Sequence, residues 1–478
     1  MGLFDRIPGT PLRRFRVLFG MVQILQIFRM FYYQRIDEWF VKPHVHFKYE
    51  RFEWVPVFGR EGLIAQYTAS ALCHAVLATG KYRLPASFGC TIFQCLFFLS
   101  DRALYNNHYY LAVLLSILFF LQDVHAYAAA PIVSSARASN GIPRWYLCAF
   151  QLQIAIVYTF ATLAKLSSRD WLRAYPARIW LQESFEIAVR DVFGSGMKPL
   201  PNHSLPLGFA YALSYGGIVV DGFLAYITLR IALRTSRAAQ VKTMTFRGPP
   251  SIEKAACSVW ILFHALNGAL FDIGVFPLMM LSCLVLFFDV RCVRSRLSTR
   301  VCRSTSIRRE RSVPDRGVRI FIFVFFFAQT VVPLRFLRYQ SLPFRHVNWT
   351  GEGELFAWRM MLTSKRCDGR FDVFGEEFGD ESNDERLLRS LRSPSELRVS
   401  YIQWWRMISD AELVRQMAVA IKKRFERFFP GTVKVRVRIA CSLNGSERQL
   451  FLDPGIDFST VEKAHIYDAV MDQTHYPP

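Results

Sequence analysis

Apolar residues are gathered into eight runs, at roughly 15–33, 61–79, 86–100, 108–123, 145–166, 207–229, 255–288 and 318–336, with polar or basic stretches between them. A helix crosses the hydrocarbon core of a bilayer with about 20 residues, within a range of about 17 to 25. Most of the runs fit one crossing, the third only marginally, so residues 1–336 are expected to form an α-helical polytopic bundle of about eight or nine membrane segments. The run at 255–288 differs. Its 34 residues are too many for one straight crossing at about 1.5 Å per residue and too few for two comfortable ones. The loop before it carries Arg230, Arg234, Arg237, Lys242, Arg247 and Lys254, and the loop after it carries ten arginines against Glu310 and Asp315. Basic loops stay in the cytosol, so the segment must enter and leave on one side as a tight or re-entrant hairpin, with Gly274 and Pro277 as its break.

After Phe336 the periodicity changes, and residues 337–478 are expected to form a small extramembrane α+β domain. Residues 365–397, polar and acidic with Glu-Glu-Phe-Gly-Asp-Glu at their centre, read as a solvated loop or mobile insert. From Ser395 to Phe429 apolar residues recur at three and four, a helical pattern that Ser393 or Ser395 could cap and Pro430-Gly431 ends. Thr432–Leu443 alternates as a half-buried strand, and Asn444-Gly445 turns it into Arg448–Leu452. With a cytosolic N-terminus, six crossings, a returning hairpin and a last span put this domain on the non-cytosolic side. The same count puts the sequons at Asn202, Asn348 and Asn444 where glycosylation requires them. Cys367 and Cys441 could pair there, whereas the cysteines inside apolar runs read as packing residues.

Composition narrows the class. With 52% hydrophobic residues, 43 Phe, only 20% charged residues and a mean hydropathy of +0.18, the chain is expected to be an integral membrane protein. A net charge of +21 would suggest nucleic acid in a soluble protein. Here the arginines lie in loops between apolar runs, so the expected partners are membrane lipids and no nucleic acid. The N-terminal run continues without a small-residue cleavage site and reads as an uncleaved first span.

Three constellations carry candidate chemistry. In Gln151–Tyr175 the only ionisable groups before the closing turn are Tyr158 and Lys165, seven apart and so on one helical face. Lys165 either snorkels into the headgroups or faces the bundle as a neutral amine able to take a proton. Tyr105 to Tyr110 places Asn106, Asn107, His108 and Tyr110 together at the outer end of the fourth span, as caps or as a hydrogen-bonding site. His264 and Asn267, three apart in the hairpin, share a face; Asp221, in the sixth span, is expected to pair with a cation or donor inside the bundle. By the crossing count all three sets meet on the face that carries the C-terminal domain. The scattered histidines offer no metal a site.

The spacing of Gln153, Val157, Tyr158, Lys165, Leu166, Trp171 and Tyr175 resembles the core motif of the vitamin K-dependent γ-glutamyl carboxylase family. Asn106-Asn107-His108-Tyr109-Tyr110 resembles that family's Asn-Asn-His-x-Tyr, with Tyr105 in place of Trp. The set from Phe263 through His264, Asn267 and Gly274 to Phe276 is similar to its hairpin motifs, and Asn348-Trp349-Thr350, Trp358-x-Met360-Met361 and Phe451-x-Asp453-Pro454 to its C-terminal ones. The likeness implies carboxylation of a glutamate-containing protein or peptide by CO2, coupled to oxidation of the lipid-soluble quinol vitamin K hydroquinone by O2, without a metal. It implies Lys165 as the base, Asn107, His108 and His264 as further catalytic groups, and Tyr158, Tyr110, Asn267, Asn106 and Trp358 around the substrates. The expected compartment is the endoplasmic reticulum membrane, or a bacterial membrane facing the periplasm. Thr363 to Cys367 carries no histidine where the family has a histidine-rich segment, and Gly455 replaces an arginine. A quinol epoxidase without glutamate carboxylation, and a non-catalytic scaffold or transporter, are the alternatives.

Overall fold

The computed structural model describes residues 4–129, 141–182, 207–233, 250–271, 273–288, 316–340, 347–376, 385–429 and 431–474. Every apolar run contains a helix. These are α1 (Thr10–Tyr32), α2 (Arg60–Thr79), α3 (Arg83–Ser100), α4 (Asn107–Ala129), α5 (Arg144–Leu166), α6 (Leu207–Ala232), α7 (Pro250–Leu270), α8 (Phe276–Cys283) and α9 (Arg316–Leu334). Six of them, α1, α3, α4, α5, α6 and the helical stretch that starts with α9, are long and apolar enough to cross a membrane. The chain is a helical membrane bundle followed by a smaller sheet-containing region.

The bundle is built around α5, the most enclosed of the spans. Phe150 packs on Phe119 of α4 with ring centroids 4.6 Å apart and on Phe15 of α1 at 5.3 Å. Such aromatic pairs fill core volume and add about 0.5–1.5 kcal/mol each beyond burial. Strand β1 (Arg6–Pro8) pairs antiparallel with β2 (Gly141–Pro143) and ties the two chain segments that enter α1 and α5. On its other side α5 meets α6, where glycines allow a close approach: a Cβ on Gly217 would lie 3.4 Å from the Trp171 ring and 3.9 Å from Lys165 Cε.

The long seventh run forms a hairpin. Its first arm is α7, its second is α8 with a further 3₁₀ turn at Leu284–Leu286, and the break between them holds Gly274 at φ +62°. Trp260 Nε1 donates to the Met280 carbonyl at 3.0 Å and clasps the arms, while Gln151 Nε2 of α5 donates to the Leu286 carbonyl at 2.7 Å. The arms are unequal: α7 has 21 residues and α8 only 8.

The C-terminal region contains an antiparallel sheet, ordered β4-β3-β5-β6, of β3 (Lys365–Glu376), β4 (Arg386–Leu391), β5 (Thr432–Leu443) and β6 (Gln449–Leu450). The strand at 432–443 and its Asn444-Gly445 turn match the alternation of the sequence; the loop expected at 365–397 does not. Residues 365–376 and 386–391 are strands because Cys367, Phe371 and Val373 alternate inward, a period that the intervening charges obscure. The acidic centre at 377–384 lies outside the described residues. The helical pattern from Ser395 also divides, into α10 (Pro394–Leu397), α11 (Tyr401–Met407) and α12 (Ala411–Phe425). Each has its own cap, Ser393, Ser400 and Asp410, and Arg398 at φ +55° separates the first two. Cys367 and Cys441, opposite each other on β3 and β5, are disulfide-bonded.

Polar contacts lock this region onto the bundle. Gln403 Nε2 donates to Asp101 at 2.6 Å, Lys48 N donates to Gln416 at 2.8 Å, and Asn444 Nδ2 donates to Asp170 at 2.8 Å. Asn348, whose amide donates to Ser168, and Asn444 are both almost fully buried. The expectation that these two sequons carry glycans is therefore corrected, because a glycosylated amide must project into solvent. Asn202 lies outside the described residues.

Candidate active site

Lys165 does not snorkel. It is 7% exposed in the last turn of α5, and its Nζ lies 2.6 Å from Asp221 Oδ2 of α6. The Trp171 ring lies below it, 5.3 Å from Nζ, on a turn capped by Ser168. Trp171 is itself fixed by Nε1 donating to the Ser214 carbonyl at 2.9 Å. Of the two expectations for Lys165 the structure has the one in which it faces the bundle, and the partner expected for Asp221 is Lys165. A buried lysine and a buried carboxylate each lack the solvation that a charge requires, and the pairing offsets both deficits.

Two turns back along α5, the Tyr158 hydroxyl bonds His264 Nε2 of α7 at 2.7 Å. Both residues are buried, and His264 Nδ1 is a buried nitrogen with no hydrogen-bond partner among the described residues. Asn267, one turn further along α7, is half-buried.

His108, 5% exposed at the start of α4, stands against the hairpin break: a Cβ on Gly274 would lie 3.7 Å from its Nε2. The Phe276 ring lies between the two imidazoles, 6.4 Å from His108 and 5.9 Å from His264. The hairpin turn thus brings together residues from α4 and α7.

The cluster at 105–110 divides between two environments. Tyr110 points into the bundle, stacked 5.0 Å from Trp358 and accepting from Gln329 Nε2 at 3.1 Å. Trp358 is 1% exposed and its indole N–H has no partner among the described residues. Asn106 and Asn107 instead line a polar cavity beneath the sheet region, where Tyr105 Oη donates to Asn107 Oδ1 at 3.0 Å. One residue, from Asn107 to His108, spans the boundary between them.

The loop from Phe356 to Met361 closes the site. Phe356, Trp358 and Met361 have φ of 62°, 55° and 57°, left-handed values that bulky residues avoid at a cost of roughly 1–3 kcal/mol each. Packing holds them there: Leu362 and Met361 cluster with Ala164 and Trp171, and Trp358 joins the bundle core. Motif reading found Trp358 but not this conformation, nor the Lys165–Asp221 contact, because neither leaves a periodic trace in the sequence.

No solved structure matches the chain. Residues 4–291 match the HTTM domain family, and residues 315–470 match the family described as vitamin K-dependent gamma-carboxylase, lumenal domain. The two matches follow one another along the chain, the first over the bundle that holds Lys165, His108 and His264 and the second over the sheet region that closes the site. With this architecture and both matches in order, the chain belongs to the vitamin K-dependent gamma-glutamyl carboxylase family.

Proposed function

We propose that the chain carboxylates glutamate side chains of a protein or peptide with CO2, driven by oxidation of vitamin K hydroquinone by O2. The observation that carries this reading is the buried Lys165–Asp221 pair at the bundle end beneath the sheet region. When bound and oxidised by O2, the quinol would supply the base that accepts the glutamate γ-proton, freeing that carbon for CO2, with the epoxide and water as the other products. The unpartnered His264 Nδ1 and Trp358 Nε1 fit polar atoms of such a ring set among Phe276 and Tyr110.

Lys165 and Asp221 act together as the base. When their shared proton sits on Asp221, the Lys165 amine has a free lone pair and takes the phenolic proton of the quinol. The ammonium so formed would lie over the Trp171 ring, whose face favours a cation. In the tautomer in which Tyr158 donates to Nε2, a neutral His264 carries its proton on Nδ1 and presents a donor. His108 and Phe276 wall the site, and the strained loop at 356–361 shields it from water. Vitamin and CO2 enter through the apolar bundle, the glutamate from the polar side. The Cys367–Cys441 disulfide supports a non-cytosolic sheet region, in the endoplasmic reticulum or a periplasm.

A second reading is a quinol epoxidase that does not carboxylate. It draws on the stretch Thr363–Cys367, whose lysine is engaged with the Trp349 and Ser409 carbonyls at 2.6 and 3.0 Å and whose cysteine is in the disulfide. Purified protein given vitamin K hydroquinone, O2, labelled bicarbonate and a glutamyl peptide separates the readings. Label in peptide together with epoxide is the expected result; epoxide alone supports the second reading, and neither product means a scaffold or transporter. Lys165→Ala is expected to abolish epoxide formation in protein that still folds.

A further inference from the structure

One corner of the sheet region is strongly basic. Strand β4 is an edge strand, with β3 as its only neighbour among the described residues. Its Arg386 pairs with Gly375, ten residues along β3 from Lys365. At about 3.4 Å per residue this corner lies roughly 34 Å along the strand from the contact of Asn444 with Asp170 of the bundle. The end of α12 reaches the same corner: Arg424 Nη1 donates to the Glu396 carbonyl at 3.1 Å, and a Cβ on Gly375 would meet both Phe429 and Leu388. Most carboxylates here are already engaged. Glu376 and Glu385 hold Lys434, Glu385 also holds Arg436, and Glu396 accepts from the backbone N–H groups of Arg392 and Ser393. Arg386, Arg389, Arg392, Lys423 and Arg427 are exposed and form no ion pair among the described residues. Against them stands one exposed carboxylate, Glu426. Leu387 and Phe428, in the same two segments, are 53% and 84% exposed.

We propose that this corner docks the already carboxylated stretch of the peptide product, held as an added strand along the free edge of β4. The proposal rests on the function proposed above and assigns its product a surface remote from the buried pair. Each carboxylation adds one carboxylate to a glutamate, so a processed stretch is more acidic than an unprocessed one. An extended peptide joins a free sheet edge through its backbone, and side chains facing each other across such a pair attract when their charges are opposite. The like charges of β4 keep two copies of this edge apart and admit a strand of the other sign. Leu387 and Phe428 give that strand apolar contact beside the charges. About ten extended residues span the distance from the bundle contact to Arg386, so a carboxylated stretch can lie here while a glutamate further along the same peptide is at the bundle.

The test is binding of a fluorescent peptide bearing several γ-carboxyglutamates to the full chain in phosphatidylcholine nanodiscs, without quinol or divalent cations. Arg386→Gln, Arg389→Gln and Arg427→Gln together are expected to weaken binding about tenfold, the sum of three exposed attractions. The same three changed to lysine are expected to stay within about threefold of the wild type, since the charge is kept. Thermal unfolding is expected to match the wild type in both, and the glutamine variant to keep its turnover on a short peptide with a single glutamate. The glutamate counterpart of the peptide, and the carboxylated peptide with alternate backbone nitrogens methylated, are each expected to bind several-fold more weakly. Glutamine at Arg51, Arg338 and Arg448, exposed elsewhere, is expected to leave binding unchanged. Unchanged binding in the first variant, an equal loss in this control, or equal binding of either altered peptide would each overturn the proposal. So would displacement of the peptide by phosphatidylglycerol vesicles, which makes the corner a lipid surface. Exchanging Glu377, Asp380, Glu381 and Asp384 for their amides is expected to change binding less than about threefold, whereas a gain of about tenfold would give the corner to the chain's own acidic stretch. Wild type that binds the carboxylated peptide but incorporates no label from bicarbonate would sink the carboxylation reading and leave an anionic-peptide surface standing.

Discussion

Among the described residues two ion pairs are buried in the bundle, at its opposite ends, and they are built differently. At one end Arg16 of α1 grips Asp123 of α4 through two bonds, 2.7 and 2.9 Å, with its guanidinium 4.7 Å over the Phe119 ring. At the other, Lys165 meets Asp221 through one contact of 2.6 Å. Burial is alike, with every side chain at 8% exposure or less. The cation differs: arginine keeps its charge in any protein setting, whereas a lysine nitrogen can give up a proton. The first pair fastens helices together; the second is the pair that the proposed function uses as a base.

The largest effect expected from this contrast is catalytic. Lys165→Arg keeps a cation beside Asp221 but removes the nitrogen that can act as base. Epoxide formation should fall by at least about 10²–10⁴, the range for general-base catalysis, with thermal unfolding little changed. Near wild-type turnover in that variant would end the assignment of Lys165 as base.

A second expectation concerns stability. Asp123→Asn strands the Arg16 charge and should cost about 3–5 kcal/mol in unfolding experiments, while turnover per folded molecule stays at the wild-type level. Asp221→Asn should cost less than half as much, since Lys165 can shed its proton once alone, yet it should slow epoxide formation by more than tenfold. Equal losses of stability would mean that both pairs are merely structural. The smallest effect is expected at the hairpin: Gly274→Ala places a side chain at φ +62° against His108 and should cost about 1 kcal/mol and a few-fold in turnover.

Much of the architecture is legible along the chain because a bilayer imposes a length and an apolar character on each span. The eight runs, the hairpin at 255–288 and the strand at 432–443 all follow from that and from the two-residue strand period. The strands at 365–376 and 386–391 were hidden by their acidic surroundings, since charged residues can occupy the solvated face of an edge hairpin without breaking it.

The order of residues by itself determined that the chain enters membranes, roughly where its apolar helices lie, and which side chains share a face of α5. It also determined membership of a family, through short motifs in a fixed sequence. Only tertiary structure decided that Lys165 meets Asp221 across 56 positions, that two sequons are sealed inside, and that Asn107 and His108 face different solvents. The physical reason is that periodicity reports the environment on one side of one element. Pairing, burial of a polar group and the sharing of a cavity depend on how separate elements close on each other.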